Sequence, residues 1–341
     1  MDKMKKQRKK YLGNYTITEV AEIIGISPAT VSRILNNKIS HDSEASQKLH
    51  KFLQNHEINL DRFKGKSRGD IYLICDFAGD ETSVPTSNFP YIYKALKNRT
   101  EAEGYNLIHS DRKGINPILA SDRGNSVKGV IFHCEPFPLI RKVPAVTINH
   151  DMFIDEMNVV IADLTSGFIK ALKYLKTNGH ERIAFFFYGD KNKNFFPSYL
   201  KFIPFIYQMA GLSWDEDLFW GEEFGYNQHQ PVINRAISHF LKMKKPPTAI
   251  LLPCDFYAIG FYSEIHMRGI KIPDDISIIG CLDSPMCNTL AVPLSSLRVC
   301  PEAMAKETIS IINDNLANPQ TPVRKVSISP ELVIRESVRK I

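Results

Sequence analysis

The chain has 341 residues, 43% of them apolar and 23% charged, which is enough to bury a sizeable core and to form two or three domains rather than stay disordered. Its net charge of +6 is concentrated at one end, because residues 1–68 hold 14 Lys/Arg against 7 Asp/Glu while the remaining residues hold 29 against 30. No apolar run approaches the roughly 18 to 20 residues of a membrane span, and no apolar stretch of a secretory signal follows the lysine-rich start MDKMKKQRKKY, so the reading is a cytoplasmic protein with no membrane partner.

Three short helical patterns occupy residues 16–55. Thr16 and Glu19 form a T-x-x-E capping box, so the first helix starts there and turns Val20, Ala21 and Ile24 inward. Gly25 supplies the left-handed residue that ends it. Ser27 is an N-cap type and Pro28 suits a first helical position, so a second helix restarts after a short break with Val31, Ile34 and Leu35 on its apolar face. Its other face carries Ala29, Thr30, Ser32 and Arg33. These are small or hydrogen-bonding groups with one guanidinium, a set that fits a DNA groove where acidic or bulky groups would be repelled. The helix starts at Thr16, Ile17, Thr18 and at Ser27, Pro28, together with Asn36, complete the predicted DNA contacts, because unpaired amides there suit phosphate oxygens. A third helix, Ser43–Asn55, packs across the other two. A helix–glycine–helix pattern also describes an ordinary helical hairpin; the caps, the spacing and the local positive charge favour the DNA reading.

The stretch Asn59–Gly69 is polar and without periodicity, and reads as a linker. Beyond it, short apolar runs alternate with amphipathic segments, the pattern of βαβ units. Strands are predicted at 71–75, 105–109, 127–133, 145–148, 182–188, 248–252, 276–281 and 297–300, and helices at 91–103, 165–178, 228–243, 257–268 and 301–316. That many units exceed one sheet and imply two lobes. Six scattered cysteines show no zinc spacing and read as reduced core thiols. No phosphate-cradling glycine motif, GxSxG elbow or metal cluster is present, so neither an enzyme nor a cofactor is expected.

The residues Val20-Ala21, Gly25, Ser27, Thr30-Val31-Ser32-Arg33 and Leu35-Asn36 resemble the headpiece signature of the lactose-repressor (LacI/GalR) family of bacterial transcription regulators. The similarity extends through Val127–Phe132, Val143–Asn149, Leu172–Ala184, Pro247–Asp255, Gly269–Gly280 and Glu331–Ser337. It implies an α/β chain: an all-α helix-turn-helix headpiece followed by a two-lobed periplasmic-binding-protein-like core of two parallel sheets flanked by helices. The domains are then 1–58 (basic tail and helix-turn-helix), 59–69 (linker), 70–162 plus 292–320 (first lobe) and 163–291 plus 321–341 (second lobe). It further implies a homodimer on a near-palindromic double-stranded DNA operator, and a small sugar or sugar-like effector between the lobes. The segments 91–103 and 115–119 are the expected pairing surfaces.

The sequence departs from the family at two places. The linker lacks the Ala/Leu pair of the family's N-x-x-A-x-x-L hinge, whose leucines wedge into the minor groove, and retains only Leu60 and Phe63 as apolar residues. In the cleft, the positions where the resemblance places polar sugar ligands are Tyr199, Cys254 and Leu282. Asp255 and Asp283 are retained, and Phe89 and Phe224 align near aromatic positions. Losing three polar partners implies a flatter, more apolar cleft and a ligand other than a plain pyranose. Control by a protein corepressor, or a solute-binding protein without DNA function, are the alternative readings.

Overall fold

The computed structural model describes residues 11–12, 15–35, 43–55, 67–75, 89–133, 136–148, 156–189, 202–223 and 229–341. The linker expected at 59–69 lies outside them except for its last three residues. A two-stranded hairpin, β1 (Tyr11–Leu12) with β2 (Tyr15–Thr16), leads into α1 (Ile17–Ile24), α2 (Pro28–Leu35) and α3 (Glu44–Asn55). Val20, Ala21, Val31, Ile34, Leu49, Phe52 and Leu53 form the small core of these helices. Gly25 at φ +70° lets the chain reverse, and the Ile26 amide donates to the Ala21 carbonyl (3.0 Å) to close α1.

The first lobe is a six-stranded parallel sheet with strand order β13-β7-β6-β5-β3-β4. Its strands are β3 (Gly69–Ile74), β4 (Tyr105–Ser110), β5 (Val127–Phe132), β6 (Ala145–Ile148), β7 (Asn158–Ala162) and β13 (Lys325–Ile328). Helices α4 (Phe89–Ala102) and α10 (Pro301–Ala317) cover one face through Ile92, Leu96, Ile309 and Ile312. Helix α5 (Arg112–Ala120) covers the other through Ile115 and Leu119. Gly129 lets α10 approach closely, since a Cβ there would stand 2.9 Å from Ile312 Cγ2.

The second lobe repeats the plan with order β14-β12-β11-β10-β8-β9. Its strands are β8 (Ile183–Gly189), β9 (Phe219–Glu223), β10 (Ala249–Leu251), β11 (Ser277–Cys281), β12 (Ser295–Arg298) and β14 (Glu331–Val333), the last antiparallel to β12. Strand β8 shows why the sheet needs helices on both sides. Phe185 and Phe187 point to α6 (Leu164–Thr177) and α7 (Ile203–Met209), whereas Ala184 and Phe186 point to α8 (His229–Lys242) and α9 (Phe256–Met267).

The chain crosses between lobes near 163, 299 and 329. The lobe changes expected at 292 and 321 are therefore displaced: Ser295–Arg298 pairs with β11 in the second sheet, and Lys325–Ile328 pairs with β7 in the first. Both are short strands at or beside a sheet edge, and Lys325–Ile328 is only half buried, so its apolar signal is weak. Strands β7, β9, β13 and β14, the hairpin, and helices α5 and α7 have no counterpart among the predicted elements. Helix α5 contains Gly114 and Pro117, which mask its periodicity. In the segment 115–119, Ile115 and Leu119 pack into the first-lobe core while Pro117 stays exposed. Among the described residues no helix is long and apolar enough to cross a membrane.

The last residues stitch the second lobe. The buried Ser337 hydroxyl donates to the Ile278 carbonyl (2.6 Å) and accepts from the Ser295 amide (2.8 Å). Two residues on, the Arg339 carbonyl accepts from Nε2 of buried His180 (3.0 Å), which leaves Nδ1 to accept from the Thr248 hydroxyl (2.9 Å). Burial holds the His180 imidazole below its ordinary value of 6.5. The unfolded chain takes up a proton here that the folded chain resists, so the neutral ring's stabilisation is present above about pH 6.5 and is lost as pH falls below it. Urea unfolding at pH 7.5 and pH 5.5 should show a loss of stability for the parent chain that is smaller in His180→Gln.

Candidate DNA-reading face and interlobe cleft

Helix α2 buries Val31 and Ile34 and leaves Ser27, Pro28, Ala29 and Arg33 exposed at its start and along its outer side, with Thr30 and Ser32 half-buried between. Ser27 Oγ accepts from the Thr30 amide (3.0 Å) and lies 2.8 Å from Thr30 Oγ1, so the cap is made as the residue types predict. Thr18 is exposed on α1, whereas Ile17 is half-buried against the three-helix core. Thr16 immediately precedes α1, and Asn36 lies outside the described residues. The structure thus brings six predicted contacts, Ser27 to Thr30, Ser32 and Arg33, onto one surface.

Between the lobes lies a cavity of about 220 Å³ lined by Tyr91, Cys254, Asp255, Phe256, Leu282, Ser284, Pro285 and Met286. Tyr91 comes from α4 of the first lobe; the others stand at the C-terminal ends of β10 and β11, where open α/β sheets bind ligands. Of the predicted effector residues, Cys254, Asp255 and Leu282 line this cavity. Phe89 does not: its ring packs edge-on to His133 at 4.9 Å and joins the first-lobe core. Tyr199 and Phe224 lie outside the described residues.

Asp283 is also turned away from the cavity. Its side chain is 4% exposed, with Oδ2 paired to Arg298 Nη2 (2.7 Å) and Oδ1 to Arg335 Nη2 (2.8 Å). It is an internal counter-ion that fixes the turn after β11. Asp255 occupies the residue before α9, yet its carboxylate makes no helix cap. Oδ2 accepts from the Ser284 amide (2.7 Å) and Oδ1 from the Ser296 hydroxyl (2.6 Å). Burial pushes its pKa up to about 6, against the pull of those hydrogen bonds. Burial likewise pushes the Cys254 thiol up to about 12, so it serves as an apolar wall rather than a nucleophile. Burial and then the nearby Asp255 charge raise the Tyr91 phenol, which keeps its hydroxyl proton and can donate into the cavity.

Tyr91, Phe256, Ser284, Pro285 and Met286 are the lining residues that the sequence reading missed. Ser284–Met286 directly follow Asp283 beyond a strand's C-terminal end, which is the signal that could have found them. Tyr91 carries no local signal, because its role depends on how the lobes meet. Among the described residues no His/Cys/Asp/Glu group could hold a metal.

Residues 172–338 match the periplasmic-binding-protein-like domain family, and residues 4–57 match a helix-turn-helix family. The HTH-type transcriptional repressor PurR of Mannheimia succiniciproducens is 24% identical, the alignment covering 96% of this chain and 99% of that protein. The HTH-type transcriptional regulator DegA of Bacillus subtilis is 24% identical over 94% of this chain and 97% of its own. Among solved structures, the complex of the transcriptional regulator CelR with cellobiose superposes with a TM-score of 0.62 at 19% identity, covering 94% of this chain and 99% of that one. A LacI-family regulatory protein from Chloroflexus aggregans gives 0.66 at 22%, covering 80% of this chain and 99% of its own. These relatives are named as regulators, not enzymes.

Two substitutions test the geometry. Ser27→Ala removes the α2 cap and should cost about 1 kcal/mol in thermal unfolding of the headpiece, while Ser27→Asp restores it. Asp283→Asn leaves Arg335, itself largely buried, without its counter-charge and should cost about 3 kcal/mol in urea unfolding of the core.

Proposed function

Since this chain belongs to the LacI/GalR family of bacterial transcription regulators, we propose that α2 reads operator DNA in the major groove and that the interlobe cavity takes the effector controlling that contact. The protein is a DNA-binding transcription regulator with a ligand-responsive core. The observation that carries the finer reading is the outer side of α2, where Ser27, Pro28, Ala29 and Arg33 are exposed between a lysine-rich start and a basic linker that carry the positive surplus of residues 1–68. Thr30 and Ser32 flank Arg33, so one guanidinium can reach a base edge while the capped helix start meets a phosphate.

The molecule acts in the cytoplasm as a homodimer that represses a catabolic operon. Ile259 (48% exposed) and Met267 (67% exposed) leave apolar side chains on the outer side of α9 of the second lobe, a surface suited to a two-fold partner. Effector binding changes the lobe angle and hence the separation of two headpieces across the dimer; base contacts at one half-site then weaken. The domains run as a headpiece to about 58, a linker to 69, and two lobes that exchange the chain at the three crossovers. A built cavity with hydrogen-bonding groups from both lobes favours a small molecule over a protein corepressor.

Selection of bound fragments from random DNA should return a near-palindromic consensus for the parent chain. Arg33→Ala should lose preference at one base pair of each half-site, by about 1–3 kcal/mol. Selectivity unchanged in that variant would place the reading surface elsewhere.

A further inference from the structure

Leu282 stands at φ +102° and Asp283 at φ +52°, two successive side-chain-bearing residues in the left-handed region that favours glycine. The surroundings over-determine this turn. The Leu282 amide donates to the Leu297 carbonyl (2.7 Å), the Asp283 amide to Ser296 Oγ (3.1 Å), and the Ser284 amide to Asp255 Oδ2 (2.7 Å). Arg298 and Arg335 clamp the Asp283 carboxylate. A strained turn held so firmly points to a use for the side chain it presents.

That side chain packs against three apolar clusters at once: both faces of the second-lobe sheet, and the α4–α10 side of the first lobe. Leu164 also touches both lobes, but it lies at a covalent crossover, where such contact follows from the chain path. Leu282 is not itself on a crossover segment, although its amide meets Leu297, close to the crossover near 299. It also lines the interlobe cavity, to which Tyr91 contributes from the first lobe.

We infer that Leu282 is a built-in bridge that holds the lobes together without a ligand. Lobe closure in a two-lobed binding fold needs something to span the gap, and here an apolar side chain of the protein spans it. The bridge does not rest on the cleft being the effector site.

The test is the interlobe distance in the ligand-free full chain, read by energy transfer between dyes on genetically encoded ketone residues at exposed positions 98 on α4 and 242 on α8. Labelled protein is diluted into excess unlabelled protein, so that only distances within one chain are read. Leu282→Gly suits the backbone angle while deleting the side chain, and Leu282→Met keeps an apolar bridge. The parent chain and Leu282→Met should share one short-distance population, and Leu282→Gly should shift to longer, broader distances. Leu282→Ala, read the same way, substitutes for the glycine variant if thermal melting shows that variant unfolded. A folded glycine or alanine variant with the parent distance distribution would overturn the bridge. Neither DNA nor effector enters the measurement, so its failure is distinct from failure of the regulatory reading.

Discussion

The whole core depends on one topological constraint: the chain passes between its two sheets three times, and each sheet is completed by a strand that arrives late. The first sheet takes β13 beside β7, and the second takes β14 beside β12. The crossovers are bound to each other. The Asp163 amide donates to the Ile328 carbonyl (2.8 Å), and Lys170 Nζ donates to Ser329 Oγ (2.7 Å) and the Pro330 carbonyl (2.9 Å). Arg298, at the end of β12, adds a longer ion pair to Glu331 (3.6 Å). Three parallel connections tied in this way allow the lobes to change angle as bodies while resisting separation, and that is the motion a cleft-bound ligand can bias.

Two neighbouring carboxylates divide the work at the cleft because their partners differ. Asp283 meets two guanidiniums and remains a buried counter-ion. Asp255 meets only neutral donors, an amide and a hydroxyl, so burial dominates and its pKa rises to about 6. The pair shows how one turn can be both electrostatically anchored and poised at a cavity wall. It also shows why an aspartate retained at a family position need not retain a ligand.

The elements legible in the sequence were those whose residue types carry their own signal. The N-cap at Ser27, the reversal at Gly25 and the inward Val20, Val31 and Ile34 follow from local chemistry, and the structure places them as expected. Central strands such as Val127–Phe132 and Ser277–Cys281 stand out because both of their faces are buried. Lys325–Ile328 is short and half exposed at its sheet edge, so it escaped notice and the lobe boundary expected at 321 drifted with it; Asn158–Ala162 was missed although largely buried. In the cleft, Cys254, Asp255 and Leu282 were found through family position. Tyr91 was not, since nothing in α4 alone reveals that one of its residues will face the opposite lobe. Phe89 was misplaced for the same reason: aromatic character does not distinguish a cavity wall from core.

The late arrival of α10 also bears on biosynthesis. Strands β3 to β7 leave the ribosome early, but the side chains that cover Ile92, Leu96, Val146 and Val160 include Met304, Ile309 and Ile312, which are translated more than a hundred residues afterwards. The second lobe lies almost wholly between residues 164 and 298 and can collapse first. During synthesis the first lobe therefore waits as a half-dressed sheet, dependent on chaperones or on speed until α10 closes over it.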